Sequence, residues 1–234
     1  ADRHLLSIGY SLDAHRRDPG FYDLLASESR LGSYIGVARG RLPLDHWFRL
    51  GRRLAPGWGP PVLASWSGSM FEYLMPMLVM PVYEGTLLDM TCKGAVHRQI
   101  RYGRQTGIPW GISESGYNQL DSSHVYQYRA FGVPMLGMKR GLTDDLVIAP
   151  YASAMALMVE SVEAVRNLRR LVDAGMVGRF GLYEAADHTP ARVPADEPFA
   201  IVRSWMAHHK GMCLLAFGHL LHGRPMQRRF MADP

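Results

Sequence analysis

Cysteine and long apolar runs are scarce in this chain, and both features narrow the classes of protein to which it can belong. Its 234 residues include two cysteines, Cys92 and Cys213, and no CxxC pair. This spacing argues against a disulfide framework and predicts buried thiols in a reducing compartment. The longest apolar stretches, 74–83 and 146–159, contain proline and fall short of the ~20 residues that a membrane helix requires. No N-terminal signal-peptide pattern is visible.

The chain also lacks a basic stripe and the common motifs for metals, nucleotides and catalytic serine. Its net charge of +5 comes from 26 basic and 21 acidic residues that are scattered along the sequence. Nucleic-acid binding requires a clustered basic surface or a reading motif, so nucleic acid is not an expected partner. HExxH, GxSxG, EF-hand, Walker and Rossmann patterns are absent as well. We therefore expect no metal ion and no cofactor.

Helical patterns separated by Gly- and Pro-rich loops dominate the sequence. A hydrophobic content of 47% with 20% charged residues is ordinary for a globular domain, and we treat 1–234 as a single domain. Two short strands at 181–184 and 199–202 are expected to form a small hairpin. The fold class is thus mainly α, with functional loops at one end. Predicted helices span 21–39, 43–49, 67–79 (kinked at Pro76), 87–105, 150–158, 162–174, 206–222 and 225–231, and 109–124 is predicted to be a loop.

Glu28 lies in an apolar stripe of the first predicted helix. Leu24 and Leu31 share its helical face, so the carboxyl group would be partly desolvated and its pKa raised. A carboxyl that stays protonated near neutral pH is what a general acid requires. The alternative is a structural carboxylate paired with Arg30 or Arg39, and spacing alone favours that alternative.

Glu72 is the one acidic residue of an almost wholly apolar segment, 70–76. A carboxylate in such surroundings is either functional, as a catalytic group or a substrate ligand, or structural. In the structural case it would be hydrogen-bonded to backbone amides or to an arginine. The sequence leaves these alternatives open.

Glu114 is the strongest catalytic candidate, because it lies among aromatic and small polar residues in segment 110–118. Trp110 and Tyr117 offer faces on which sugar rings stack, and Asn118 can bond sugar hydroxyls. Carboxylates flanked by aromatic residues are typical of glycosidases. A functional role is therefore favoured over that of an ordinary loop glutamate.

Further loops combine aromatic rings with hydrogen-bond donors and indicate a polar cleft that suits an uncharged oligosaccharide. Each loop taken alone could instead reflect aromatic packing between helices. Adjacent histidines on a helix point about 100° apart, which disfavours a shared metal. The candidate substrate-binding residues are Trp66, Glu72, Trp110, Tyr117, Asn118, Tyr126, Gln127, Tyr128, Arg129, Arg203, His208 and His209.

Several long segments, in the same order along the chain, resemble the middle, glycoamylase-like domain of cyclic β-1,2-glucan synthases. They include LLASES at 24–29 and GISES at 111–115. The resemblance runs essentially from residue 5 to 234. The segments that carry it are 21–31, 65–76, 110–115, 126–134, 206–212 and 226–230.

The resemblance implies an (α/α)6 toroid that cuts linear β-1,2-glucan and rejoins its ends by retaining transglycosylation. Carried over by position, Glu28 would be the acid/base and Glu114 the nucleophile. Members of the family are large inner-membrane proteins, so the expected partners are β-1,2-glucan and other domains of a membrane-anchored parent. This chain, which begins at Ala1 without an initiator Met, would then be a soluble fragment on the cytoplasmic side. A length of 234 residues is short for twelve helices, so the expectation includes an incomplete toroid.

Two alternatives remain at this stage. The chain could be a β-1,2-glucanase or another glycoside hydrolase on the same fold, and product analysis separates a hydrolase from a cyclase. It could also be a non-catalytic glycan-binding fragment, for which retained binding without turnover would be the signature.

Overall fold

The computed structural model describes residues 4–57 and 59–233. Helices make up most of the ordered structure, which confirms the mainly α class. Short 3-10 turns continue two of the helices, at Met75–Leu78 and Ala156–Met158. The α-helices are α1 (Arg30–Ala38), α2 (Leu44–Arg49), α3 (Met70–Leu74), α4 (Leu87–Thr106), α5 (Pro150–Met155), α6 (Ser161–Asp173), α7 (Ala207–Leu221) and α8 (Pro225–Met231).

The strands are short and pair antiparallel in small sheets. One sheet has three strands, in the order β11-β10-β7, and the others are pairs: β1 with β4, β2 with β3, β5 with β6 and β8 with β9. The bounds are β1 (Leu6–Ser7), β2 (Tyr10–Ser11), β3 (Arg16–Arg17), β4 (Phe21–Tyr22), β5 (Ser115–Leu120), β6 (Tyr126–Arg129), β7 (Val147–Ile148), β8 (Val177–Gly178), β9 (Gly181–Leu182), β10 (Ala185–Asp187) and β11 (Ala200–Val202).

The first predicted helix is shorter than expected. It begins at Arg30, and Phe21–Tyr22 is instead strand β4, paired with Leu6–Ser7. A further bridge joins Leu24 to Gly51. These tertiary hydrogen bonds take the backbone groups that a helix would have used, so local helical spacing is overridden. The prediction that Glu28 lies on an apolar helical face was therefore wrong, because Glu28 occupies the turn before α1.

Two strand predictions also need correction. Segment 109–124, expected to be a loop, contains β5, which pairs with β6 across a turn closed by the Asp121 carboxylate. The two strands expected to pair as one hairpin have different partners, since β9 pairs with β8 and β11 pairs with β10. Strand β5 packs against β10 and β11, which are distant along the chain. Such contacts stabilise a strand in a polar segment but are not visible in the local sequence.

Helix α4 shows why several other boundaries were predictable. Thr86 caps it by accepting a hydrogen bond from Asp89 N at 3.3 Å, and Gly107 ends it with φ +74°. A Thr cap and a left-handed glycine are ordinary helix start and stop signals. Its buried face includes Cys92. Cys92 and the partly buried Cys213 are both free thiols.

Within the described residues there are eight α-helices, fewer than the twelve of a complete (α/α)6 toroid. The closed toroid therefore stays a prediction. No helix among the residues described is both long and apolar enough to span a bilayer.

Candidate active site

A cavity of about 500 Å³ collects three glutamates from separate parts of the chain. Glu28 reaches it from the turn before α1, Glu72 from α3, and Glu114 from the residue that precedes β5. Aromatic side chains Phe21 and Trp66 form part of its wall. The cavity thus combines carboxyl groups with aromatic rings, which is the arrangement that the sequence predicted for a glycan site.

Glu28 is not held in a salt bridge by either arginine that the sequence suggested. The buried Arg30 guanidinium donates to the backbone carbonyls of Ser27, Glu72 and Tyr73, at 3.0, 2.9 and 2.6 Å. Arg39 pairs with Asp233 at the surface. Burial is the main cause that raises the pKa of Glu28, and the negative charge of Glu72 adds to it.

Glu72 is the centre of a hydrogen-bonded loop, 65–69. Its carboxylate accepts from the main-chain N–H groups of Trp66, Ser67 and Ser69, all at 3.0 Å. The hydroxyls of Ser65, Ser67 and Ser69 also donate to it, at 2.8, 2.6 and 3.1 Å. The side chain lines the cavity, yet only 7% of the residue is exposed. The geometry thus favours the structural alternative, in which Glu72 shapes the loop instead of binding substrate directly.

The loop that Glu72 organises presents Trp66 to the cavity. Trp66 is 60% exposed, which is unusual for a large ring and suits a stacking platform for sugar. The loop packs closely against the backbone of 132–137, where a Cβ on Gly132 would lie 1.7 Å from the Ser67 carbonyl oxygen. Only glycine fits at this position, so the platform depends on this close approach.

Glu114 combines partial burial with a strongly perturbed carboxyl. Burial is the largest cause that raises its pKa, the charge of Glu28 adds to the effect, and the result is a pKa of about 7. Its backbone carbonyl accepts from the Tyr151 hydroxyl at 2.9 Å. The Tyr128 hydroxyl lies close enough to the Glu114 carboxyl to offset part of this rise in pKa. Glu114 is therefore anchored through its main chain, and it is partly protonated near neutral pH.

Behind Glu114 lies a buried carboxylate–imidazole pair that the sequence analysis missed in part. His209 is 1% exposed and Glu184 is 2% exposed, and their side chains are joined through His209 Nδ1. His209 was predicted to bind substrate directly, which its burial contradicts. Glu184 was not singled out, because it sits in an unremarkable tripeptide before β10 and no local pattern marks it.

The other predicted binding residues lie in different environments. Trp110 was expected in the cleft but is 4% exposed and packs in the core, where its backbone is held by Asn167. This prediction was wrong, because the side chain fills space beside Gly103 of α4. Tyr126 packs against the same core.

Tyr117, Asn118 and Arg129 belong to a charged network on the β5–β6 hairpin. Tyr117 lies beneath the guanidinium groups of Arg129 and Arg192. Asn118 donates from its amide side chain to the Arg192 carbonyl, and Arg129 pairs with Asp145. Their side chains are engaged by these partners, so a role in shaping the hairpin accounts for them.

Four predicted binding residues lie outside the lining of the three-glutamate cavity, and their role stays a prediction: Gln127, Tyr128, Arg203 and His208. Tyr128 is 41% exposed, and its ring contacts both His208 and His209. Arg203 lies over the ring of Tyr183. The two histidines are in ring contact at 4.0 Å between centroids.

The N-terminal segment forms a wall of the cavity that the sequence analysis did not foresee. Ile8, Tyr22 and Asp23 line it together with Phe21. Residues 21–23 had been assigned to the first predicted helix, and that assignment hid their position. Glycines at 9 and 20 near the strand ends were the available signal for a turn-rich ribbon. Among residues 4–57 and 59–233, no group of three or more His, Cys, Asp or Glu side chains is placed to hold a metal ion.

The chain belongs to the glycoamylase family, whose sequence profile matches residues 31–234 and carries the description “Putative glucoamylase”. Among curated proteins, it is 48% identical over 233 residues to the cyclic beta-(1,2)-glucan synthase NdvB of Rhizobium meliloti (strain 1021). The match covers 100% of this chain but 8% of that synthase. The resemblance inferred from the sequence is thereby confirmed.

Solved structures show the same fold. An endo-beta-1,2-glucanase from Chitinophaga pinensis matches with a TM-score of 0.60 at 13% identity, over 99% of this chain and 57% of that one. A Bacteroides caccae protein described as a “putative glucoamylase” matches with a TM-score of 0.62 at 16% identity, over 100% of this chain and 57% of that one. The chain therefore spans little more than half of these folds.

Proposed function

We propose that this chain carries a retaining transglycosylase site that cyclises linear β-1,2-glucan. The observation that carries the proposal is the meeting of Glu28 and Glu114 in one cavity beside the exposed ring of Trp66. Paired carboxyl groups with a sugar-stacking ring are the working parts of glycosidases and transglycosylases. The substrate class is taken from the names of the similar synthase and glucanase.

The reaction has two displacements. In the first, one carboxylate attacks the anomeric carbon while the other carboxyl protonates the departing glycosidic oxygen, leaving a covalent glycosyl-enzyme. In the second, a hydroxyl at the non-reducing end of the same glucan attacks that carbon and gives its proton to the carboxylate that acted as acid. The enzyme carboxylate leaves and the ring is closed. Water must be excluded, or held less well than the sugar hydroxyl, for this outcome.

The assignment of roles rests on the resemblance, which gives Glu28 as the acid/base and Glu114 as the nucleophile. Burial raises the pKa of both carboxyls, so protonation does not separate the two roles. We therefore propose Glu28 as the acid/base and Glu114 as the nucleophile, and the pair itself does not depend on this order.

Product masses test the activity. The protein is incubated with linear β-1,2-glucan, and cyclic product is lighter by one water than the linear chain of equal length. Glu28→Gln and Glu114→Gln are expected to abolish turnover. Glu160→Gln, a surface carboxylate near His97 and outside the cavity, is the matched control and should retain it.

The same assay separates the alternatives. Shorter linear products with new reducing ends would make the chain a β-1,2-glucanase, like the similar protein from Chitinophaga pinensis by its name. Glucan binding without turnover, unchanged in both glutamine variants, would make it a glycan-binding module. Either result contradicts cyclisation.

Azide rescue tests the roles. With an aryl glycoside of β-1,2-linked glucose, azide restores a small nucleophile where a carboxylate has been removed. An alanine variant at the nucleophile yields the inverted glycosyl azide, and one at the acid/base yields the retained product. Retained product from Glu28→Ala and inverted product from Glu114→Ala are expected, and the reverse pattern would overturn this assignment.

The setting of the chain is proposed on the same basis. Because the match covers 8% of the similar synthase, we propose that further domains of a longer polypeptide are its partners. A location on the cytoplasmic side of the inner membrane, through that parent, follows from the family resemblance. Limited proteolysis of the full-length protein in membrane vesicles of known orientation would test it.

A further inference from the structure

The buried pair Glu184–His209 has no role in the chemistry described above. Glu184 precedes β10 and His209 lies in the first turn of α7, so the pair joins the small sheet to a helix. The Glu184 carboxylate accepts from His209 Nδ1, at 2.9 Å to Oε1 and 3.0 Å to Oε2, and from the Gly116 N–H at 3.2 Å. Because both residues are almost fully buried, substrate does not reach them.

The carboxylate sets the orientation of the imidazole. A histidine that donates from Nδ1 to a buried carboxylate has its ring orientation fixed, and the position of Nε2 is fixed with it. His209 Nε2 lies 3.4 Å from the Tyr128 hydroxyl oxygen. The pair therefore supports the Tyr128 side chain at its hydroxyl end.

His209 also supports the second tyrosine that holds Glu114. The Tyr151 ring stacks on the imidazole at 3.7 Å between centroids and 12° between planes. Its hydroxyl donates to the Glu114 carbonyl at 2.9 Å and contacts Ser113 Oγ at 2.8 Å. Tyr151 thus bonds the Glu114 backbone, Tyr128 lies near the Glu114 carboxyl, and both rings contact His209.

We propose that Glu184 and His209 are positioning residues that act through Tyr128 and Tyr151 to fix the Glu114 carboxyl in its reactive orientation. The inference rests on the proposed function, in which Glu114 is one of the two reacting carboxyls. A purely structural role, in which the pair merely ties α7 to the sheet, is the alternative. Positioning of this kind is the function of the carboxylate that orients histidine in other catalytic sites.

Other titratable groups bear on the same carboxyl, and all of them except Tyr128 are held constant in the tests. Glu28, Glu72 and Tyr128 face Glu114. On the far side, His208 and Lys210 lie near the Glu184–His209 pair. The variants below leave Glu28, Glu72, His208 and Lys210 unchanged.

The first test is Glu184→Gln, which keeps the size of the side chain and removes the charge that fixes the His209 ring. We expect kcat for glucan turnover to fall roughly tenfold with KM little changed, because the orientation of a reacting carboxyl is impaired and the substrate contacts are not. Difference infrared spectroscopy follows the Glu114 carboxyl stretch, which is assigned by its absence in Glu114→Gln. Its titration midpoint should move by at least about half a pH unit.

The spectroscopic readout needs no turnover, so it separates the two proposals. If the wild type fails to convert β-1,2-glucan but the Glu114 midpoint still responds to Glu184→Gln, the proposed function fails and the coupling stands. If the wild type is active and the midpoint of a folded Glu184→Gln protein does not move, the coupling is refuted and the proposed function stands.

Tyr128→Phe provides the second test, because it removes one hydroxyl from a partly exposed ring and should fold normally. A double-mutant cycle then measures coupling. In the Tyr128→Phe background, Glu184→Gln should change kcat by less than about twofold, since the hydroxyl beside the Glu114 carboxyl is already gone and the remaining Tyr151 contact reaches only the Glu114 backbone. Equal factors in both backgrounds, or a Tyr128→Phe protein with unchanged kcat and Glu114 midpoint, would overturn the proposal.

Asp187→Asn is the matched control for this cycle. Asp187 is on β10, is 0% exposed and pairs with Arg192, so its loss resembles that of Glu184 in structural cost. It lies outside the tyrosine link. We expect the factors by which Asp187→Asn and Tyr128→Phe lower kcat to multiply in the double variant. Coupling as strong as that of Glu184→Gln would mean that any buried carboxylate of the sheet acts in the same way. That result would contradict a dedicated role for the Glu184–His209 pair.

Discussion

Replacing Glu72 by glutamine distinguishes the two roles that the sequence left open for this residue. The substitution keeps the shape of the side chain but turns one acceptor oxygen into an NH₂ donor. In the structure, Oε1 accepts from the N–H groups of Trp66 and Ser67, and Oε2 accepts from the N–H of Ser69 and from hydroxyls. Either orientation of the amide therefore places a donor against a fixed backbone donor.

The magnitude follows from the donors that lose their partner. Hydroxyls can rotate away, but the main-chain amides cannot, and each buried donor left unsatisfied costs about 1–3 kcal/mol. With one or two amides affected, and a charged acceptor made neutral, we expect unfolding free energy to fall by about 3–4 kcal/mol. For a chain of this size that corresponds to a melting temperature lower by roughly 10 °C.

Urea unfolding, followed by circular dichroism, measures this change. Ser69→Ala, which removes one hydroxyl donor, is the control and should cost about 1 kcal/mol. A second effect is expected on pH dependence, because the charge of Glu72 raises the pKa of both Glu28 and Glu114, and its removal lowers them. A loss below about 1 kcal/mol together with weakened glucan binding would refute the structural role and make Glu72 a substrate ligand.

The remaining predictions concern the same cavity and its supports. The folded-state pKa of Glu114 is raised from 4.5 to about 7, so its contribution to stability is present below pH ~4.5 and lost as pH rises through ~7. The melting temperature of the wild type should fall over this pH range, and that of Glu114→Gln should not. The same pH dependence in both proteins would contradict the raised pKa. Trp66→Ala should raise KM about tenfold with little loss of stability. Phe48→Ala, at an exposed ring outside the cavity, should not. Arg30→Lys keeps at most part of three buried hydrogen bonds, so the free energy of unfolding in urea should fall by about 2–3 kcal/mol. An unchanged urea midpoint would refute this estimate of the contribution of the hydrogen bonds. In Gly132→Ala the added methyl group would clash with the Ser67 carbonyl, and the free energy of unfolding should fall by about 3 kcal/mol or more. Unchanged stability would mean that the 65–69 loop can move away.

Local signals were sufficient for much of the helical framework. Thr86 and Gly107 marked the two ends of α4, and the last predicted helix, 225–231, coincides with α8. Caps, stop residues and apolar periodicity act over a few neighbouring residues, so a single sequence carries them. The glutamates were also predictable as candidates, because a lone acid among apolar or aromatic neighbours is conspicuous without knowledge of the fold.

The same local reasoning failed where backbone groups found distant partners. Phe21–Tyr22 suited a helix by spacing but pairs with Leu6–Ser7. Trp110 looked like a sugar platform beside Glu114, yet it fills the core against α4. In both cases the deciding contact lies far along the chain, and its free energy exceeds the small differences in local propensity.

The sequence by itself therefore determined the mainly α class, several helix ends and the carboxyl groups able to carry the chemistry. Only the tertiary structure decided which carboxyls share a cavity, and that Glu72 is occupied by its own loop. It also decided that His209 faces the buried Glu184 while its neighbour His208 does not share that burial. The physical reason is that burial, desolvation and hydrogen-bond satisfaction depend on what packs around a side chain, and those neighbours come from other elements of the fold.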